Sequence, residues 1–204
     1  MINQNLLYKA NNSNQISDRL YKTKIDGLFY ISTQVFRDER GLFAEIGNIP
    51  LAQKALSSPF QVKQLNHSCS QATVVRGFHA ENWNKLVTVV SGIALCVLAD
   101  VRPDSATFLE KEYFLLSKNE GDYLSGNLFI SSGLGNSICV VEGPVNYIYA
   151  VDQLYADRDT QGDQAISLFD PNLAIEWPYS SDEMIISDRD KQSKTLRELY
   201  PHKF

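Results

Sequence analysis

The chain is poor in the residues that build most metal, redox and phosphate sites. Among 204 residues it has three histidines (His67, His79 and His202) and three widely spaced cysteines (Cys69, Cys96 and Cys139). With no C-x-x-C pair, a zinc ribbon or redox dithiol lacks its ligands, and an odd count argues against a disulfide framework. Reduced thiols in the cytoplasm are expected. No apolar run is long enough to span a bilayer, so no membrane association is expected. The polar, Asn- and Gln-rich residues 1–17 lack the apolar core of a signal peptide and read as a loose extension. Gly133-Leu-Gly135 is not followed by a third glycine at dinucleotide-loop spacing. Basic charge is also short: 19 Lys and Arg against 24 Asp and Glu give a net charge of −5. A general nucleic-acid binder normally carries a basic face, so that class is set aside. A few local cations could still hold a small anion.

What remains is an ordinary folded composition, 44% hydrophobic and 21% charged, of a length that fits one domain. Short apolar, β-branched or aromatic runs recur between turn signals. Strands are expected at 28–36, 42–46, 61–70, 73–80, 85–91, 94–101, 111–116, 127–130, 137–141 and 145–152. Two short helices are expected, at 51–57 behind Pro50 and at 193–200. The pattern is all-β and predicts a sandwich or barrel.

The chemistry concentrates in Val74-Val-Arg-Gly-Phe-His-Ala80 and the lysine five residues beyond it. Histidine titrates near neutral pH and can take a proton from carbon if the resulting anion is stabilised. Glu81-Asn-Trp-Asn84 reads as a hairpin turn that returns Lys85 toward His79. Arg76 fits less well. Strict alternation puts Arg76 and His79 on opposite faces, so both reach one cavity only if Gly77 marks a bulge. Gln64, Asn66, Ser68 and Ser70 form a wholly polar strand face, which would line a solvated cavity if the strand is central but from this strand alone reads as solvent-facing. Tyr147 and Tyr149 share a face of their strand. A metal is not expected: His79 and Glu81 are the one candidate ligand pair here, and Asn136 stands where another imidazole would be wanted.

These motifs also resemble a family. Phe36-Arg-Asp-Glu-Arg-Gly-Leu-Phe-Ala-Glu45, Gln64-Leu-Asn-His-Ser-Cys-Ser70, Val75-Arg-Gly-Phe-His79, Lys85-Leu-Val87, Asp170-Pro-Asn-Leu-Ala-Ile-Glu-Trp-Pro178 and Ile186-Ser-Asp-Arg-Asp190 are similar to dTDP-4-dehydrorhamnose 3,5-epimerases, in order and spacing, from about Ile25 to Leu196. The resemblance implies a cupin-like (jelly-roll) β-barrel with a few short helices over residues 25–204, preceded by an extension at 1–24. It implies an epimerase of the isomerase class that uses no metal or cofactor. The substrate would be a nucleotide-diphosphate-linked 4-keto-6-deoxyhexose. The assembly would be a homodimer that exchanges strands. By the same resemblance His79 is the base, Asp190 its carboxylate partner, Lys85 the stabiliser of the enolate oxygen and Tyr149 the acid. Arg40 and Arg76 would grip the diphosphate, with Phe43, Glu45, Asn66 and Tyr155 near the nucleotide or sugar. The stretch from Arg40 to Glu45 would serve the neighbouring subunit's site.

Two positions depart from the family pattern: Cys96 stands where an Asp is usual, and Asn136 where a His is usual. A single-centre 3- or 5-epimerase acting on another nucleotide sugar is therefore an alternative. Further alternatives are a non-catalytic sugar-nucleotide-binding barrel, a related 3,4-ketoisomerase and a metal-dependent cupin.

Overall fold

The structure is a computed structural model that describes residues 2–158 and 162–204. Its early strands are β1 (Gln15–Ser17), β2 (Leu20–Lys22), β3 (Leu28–Ile31), β4 (Val35–Asp38) and β5 (Gly41–Ala44), followed by helix α1 (Ile49–Gln53). The body is β6 (Gln64–Ser70), β7 (Val75–Ala80), β8 (Lys85–Ala99), β9 (Lys111–Ser117), β10 (Asn127–Ile130) and β11 (Gly135–Val151). The short strand β12 (Gln164–Ala165) and helices α2 (Asp188–Lys191) and α3 (Leu196–Leu199) close the chain.

Among the described residues, ten strands form one sheet in the order β1-β2-β3-β10-β8-β11-β7-β12, with β6 also paired to β11 and β9 to β8. All these pairings are antiparallel. β4 and β5 stand apart as a two-stranded hairpin. The all-β expectation holds, and the long strands explain why its elements were counted differently. The runs expected at 85–91 and 94–101 are one strand, β8, bent at Gly92, whose φ of +77° suits glycine. The runs at 137–141 and 145–152 are likewise one strand, β11, with register shifts between Val140 and Tyr147. Long bent strands that pass from one sheet partner to the next are how an antiparallel sheet curls into a barrel.

β8 shows why such a strand reads as continuously apolar. Ala94, Cys96 and Leu98 join one buried cluster with Tyr30, Phe114 and Val140, whereas Ile93, Leu95, Val97 and Ala99 join another with Phe78, Leu168 and Leu196. Both faces are therefore covered, the second by the C-terminal segment. Each buried leucine or isoleucine contributes about 1.5–3 kcal/mol relative to an exposed one. The expected helices are shorter than read, Ile49–Gln53 capped by Asn48 and Leu196–Leu199 opened by a Thr195–Glu198 capping box.

The opening residues are a correction. They are not loose. β1 and β2 extend the sheet beside β3. Tyr8 is buried against Phe114 and Tyr30, with ring centroids 4.7 and 5.8 Å away, and its hydroxyl donates to the Lys22 carbonyl at 3.0 Å. Ala10 packs on the same cluster, Ile2, Leu6 and Leu7 pack on the second, and Leu7 bridges to Tyr113, so scattered apolar residues in a polar Asn- and Gln-rich stretch tie the segment down. No helix among the described residues is long and apolar enough to cross a membrane.

Candidate active site

A cavity of about 160 Å³ opens between β6, β7, β8 and β11, lined by Ser68, Arg76, His79, Glu81, Lys85, Asn136, Ile138, Tyr147 and Tyr149. Arg76 and His79 share it because the alternation of β7 breaks between them. Their partners on β11, Ile138 and Asn136, are two residues apart whereas they themselves are three apart, so β7 carries one extra residue. Gly77 makes this possible, with φ +130° and no room for a side chain: an added Cβ would lie 2.5 Å from Ser137 Cβ and 2.7 Å from the Asn136 carbonyl oxygen.

His79 Nε2 donates to Asp190 Oδ1 at 2.8 Å. Asp190 sits in the one-turn helix α2, where Ser187 caps the N-terminus by accepting from the Asp190 amide at 3.2 Å. The Gly77 amide donates to the other carboxylate oxygen at 3.4 Å. Burial alone would raise this carboxyl, but the bond from His79 holds it below the usual range. With Nε2 committed to the carboxylate, Nδ1 is the ring nitrogen left to act as a base.

Lys85, with only 6% of its side chain exposed, donates to Glu81 Oε2. Its Nζ also lies 5.9 Å from the centroid of the Tyr149 ring. Burial lowers its pKa, and the neighbouring Glu81 carboxylate opposes the shift. Asn136 Nδ2 donates to the His79 carbonyl at 2.6 Å and to Glu81 Oε2 at 3.3 Å. The Tyr147 and Tyr149 rings lie 5.8 Å apart between centroids, tilted by 44°, and burial raises the pKa of both. Arg76 Nε donates to Ser70 Oγ at 3.0 Å. The arrangement brings together a histidine–carboxylate pair, an ammonium, a phenol and a guanidinium, which is the equipment to move a proton on carbon and hold an anionic ligand.

Other expected residues lie outside this cavity. Asn66 is on the inward face of β6 and accepts from Gln64 Nε2 at 2.6 Å. The polar face of β6 thus turns inward, and Leu65, on the reverse face, is 70% exposed. The strand alone favoured a solvent-facing reading; the alternative, a polar face toward a cavity, is the one that holds. Tyr155 is exposed beside the rim: its ring lies 6.5 Å from Trp83 and 4.0 Å from the Arg158 guanidinium, and its amide donates to Gln64 Oε1 at 2.9 Å. Arg40, Phe43 and Glu45 belong to the β4–β5 hairpin region, away from the cavity of their own chain. Arg40 pairs with Asp38, Glu45 with Arg19 at 3.1 Å, and Phe43 is 73% exposed. Cys96 is fully buried, and burial raises its thiol pKa.

Glu81 is the residue that the sequence reading passed over, noting it only as half of an incomplete metal pair. Its signal was its place, the first residue of the four-residue link between β7 and β8 and four before a lysine. That link is not the hairpin expected: β11 lies between β7 and β8 and pairs with both, so Lys85 reaches the cavity from across β11 and not as the cross-strand partner of His79. Among the described residues, no group of three or more His, Cys, Asp or Glu side chains converges to hold a metal ion.

The profile of the dTDP-4-dehydrorhamnose 3,5-epimerase family matches residues 22–198. The chain belongs to this family. The dTDP-4-dehydrorhamnose 3,5-epimerase of Methanothermobacter thermautotrophicus is 32% identical over 186 residues, covering 88% of this chain and 95% of that protein. Among solved structures, a 4-keto-6-deoxy sugar epimerase from the novobiocin biosynthetic gene cluster of Streptomyces spheroides superposes with a TM-score of 0.79 at 28% identity, covering 90% of each chain. The dTDP-6-deoxy-D-glucose-3,5-epimerase of Legionella pneumophila, in complex with dTDP-4-keto-L-rhamnose, superposes with a TM-score of 0.77 at 28% identity, covering 91% of this chain and 96% of that one. The cupin-like jelly-roll expectation is borne out by these neighbours, and this epimerase-family barrel carries its polar cavity where the β7 bulge sits.

Proposed function

We propose that the protein inverts C3, C5 or both of a nucleotide-diphosphate-linked 4-keto-6-deoxyhexose. The observation that carries this reading is the His79–Asp190 pair at 2.8 Å opening on the same cavity as Lys85 and Tyr149. A ketone at C4 acidifies the hydrogens at C3 and C5. His79 Nδ1 removes one of them, and Asp190 stabilises the imidazolium that results. The electron pair moves onto the C4 oxygen, where the Lys85 ammonium stabilises the enolate. Tyr149 returns a proton to the opposite face of the carbon. Arg76 takes the diphosphate, for which a planar guanidinium suits two oxygens at once. Asn66 and Tyr155 serve the sugar and nucleotide ends.

Arg40, Phe43 and Glu45 act in the site of a second copy. The exposed Phe36, Leu42 and Phe43 on the detached hairpin and the exposed Leu65 on β6 support a strand-exchanging homodimer. A cytoplasmic location fits the three free cysteines.

Incubation with dTDP-4-keto-6-deoxyglucose in deuterated water, followed by NMR of the sugar, tests the reaction. Deuterium at C3, C5 or both with an inverted product is expected. Absence of label from every 4-keto-6-deoxyhexose nucleotide tried would refute it. Asn136 and Cys96 favour a second reading, inversion at one centre, because neither supplies the acid–base pair usual at those positions. Labelling confined to one carbon would select it.

A further inference from the structure

A carboxylate beside the ammonium of this cavity is at first sight out of place. An enolate-stabilising cation should keep its field for the developing oxyanion, and Glu81 takes part of it. The surroundings of Lys85 give a reason. Its side chain is almost wholly enclosed, and an ammonium removed from water tends to lose its proton. The groups facing it are Glu81 in the loop from β7 to β8, His79 on β7, Tyr147 and Tyr149 on β11, Asp163 just before β12, and the Arg76 guanidinium across the cavity. Among the described residues, Glu81 alone forms a direct ion pair with it. Glu81 is itself fixed from a second side by Asn136.

We propose that Glu81 is a positioning residue that keeps Lys85 charged and aimed into the cavity, with Asn136 anchoring the carboxylate. Glu81 is not a second base. Burial would raise its pKa, but Lys85, His79 and Asn136 hold it below the usual carboxylate range, so it stays an anion. Asn136 thus has a use of its own: an amide can clamp a carboxylate and still hold the β7 backbone, without adding another titrating group to the cavity. The inference rests on the proposed role of Lys85 at the C4 oxygen.

The test reads Lys85 directly. Protein labelled with carbon-13 at lysine Cε is titrated by NMR, and the Lys85 resonance is identified by its loss in Lys85→Arg. In Glu81→Gln the Lys85 midpoint should fall by about one pH unit or more, the scale of losing an opposite charge at contact. In Glu81→Asp, which keeps the charge, the fall should be smaller. The alkaline limb of the exchange rate should move with the midpoint in both variants. If Glu81→Gln does not fold, the aspartate variant against wild type still decides, since a midpoint and alkaline limb that stay together support the proposal and a divergence overturns it. An unmoved midpoint in Glu81→Gln, or an equal fall in Glu81→Asp, overturns it. Because the titration needs no substrate, a shifted midpoint in a protein inert toward every 4-keto sugar would support the counter-ion and refute the reaction instead.

Discussion

Asp190→Asn tests the core of the mechanism. Asp190 is buried, accepts from His79 Nε2 at 2.8 Å, and is held there by the Ser187 cap and the Gly77 amide. Two effects follow from replacing it. The first is loss of the charged acceptor that stabilises imidazolium. A hydrogen bond to a charged group is worth about 1.5–3 kcal/mol, and about 1.4 kcal/mol is tenfold in rate, so this alone costs about 10- to 150-fold in proton abstraction. The second is tautomeric. An asparagine amide can donate to Nε2, which moves the ring proton to Nδ1 and blocks the nitrogen that must act as base. In a comparable histidine–aspartate arrangement the wrong tautomer costs about ten-thousandfold. Asp190→Ala removes the charge but imposes no tautomer, so it should be less impaired than Asp190→Asn. The assay is solvent deuterium exchange into a 4-keto-6-deoxyhexose nucleotide at pH 7, with circular dichroism to confirm folding. An asparagine variant within about threefold of wild type, or an alanine variant slower than the asparagine one, would refute the reasoning. A stability measurement gives an independent check. A carboxyl whose folded pKa is depressed adds stability above its ordinary value of about 4, and that contribution is lost as pH falls through the folded value. Urea denaturation of Asp190→Asn should therefore depend less on pH below about 4 than wild type does.

Tyr149→Phe should retain proton exchange while inversion falls about a hundredfold or more; equal loss of both, by NMR of label and product, would move the acid to Tyr147 or Tyr155. Arg76→Ala should raise KM about 10- to 100-fold with kcat nearly unchanged, since a diphosphate is bound alike in ground and transition states; steady-state kinetics read the split, and a pure kcat loss would contradict it. Gly77→Ala should cost about 1–3 kcal/mol from its φ of +130° alone, and more from the overlap with Ser137. By calorimetry that corresponds to a Tm lowered by about 2–12 °C, and an unchanged Tm would mean that the β7 bulge does not require glycine.

The strand content was legible because β8 and β11 are dense in β-branched and aromatic residues, and their bends carry Gly92 and Gly143-Pro144 as visible punctuation. What could not be read was that each punctuation mark bends a strand instead of ending it. Local sequence records a break in pairing but not whether the same partner strand resumes beyond it, and β8 and β11 do resume with each other across both bends. The packed opening segment was missed for a related reason. Its anchors, Ile2, Leu6, Leu7, Tyr8 and Ala10, are scattered among polar residues, and the ring partners of Tyr8, Tyr30 and Phe114, lie far along the chain. The polar face of β6 was ambiguous for a different reason. Its period of two was read correctly, but periodicity cannot say which face is inside, and the exposed face carries Leu65.

At the site, the residues with strong chemical identity were the legible ones. His79, Arg76 and Lys85 sit within ten residues of one another, and Gly77 between two of them was the sole local hint that alternation had to fail there. Asp190 lies 111 residues from His79, and nothing local marks it, so its pairing came from the family resemblance and its geometry from the short capped helix α2. Glu81 shows the converse limit. It was visible beside His79 and was weighed as a metal ligand, because a carboxylate and an imidazole two apart suggest coordination. The loop from β7 to β8, which crosses over β11, instead turns it onto Lys85. A carboxylate in a sequence can be a ligand, a base or a counter-ion, and the choice depends on which cation the turn delivers to it and how much water is left around the pair. Here the turn delivers a lysine that is almost completely enclosed, so the pair has to be understood as a unit: removing the Glu81 carboxylate changes the charge state of Lys85, and the kinetic consequence appears at alkaline pH rather than as a uniform loss.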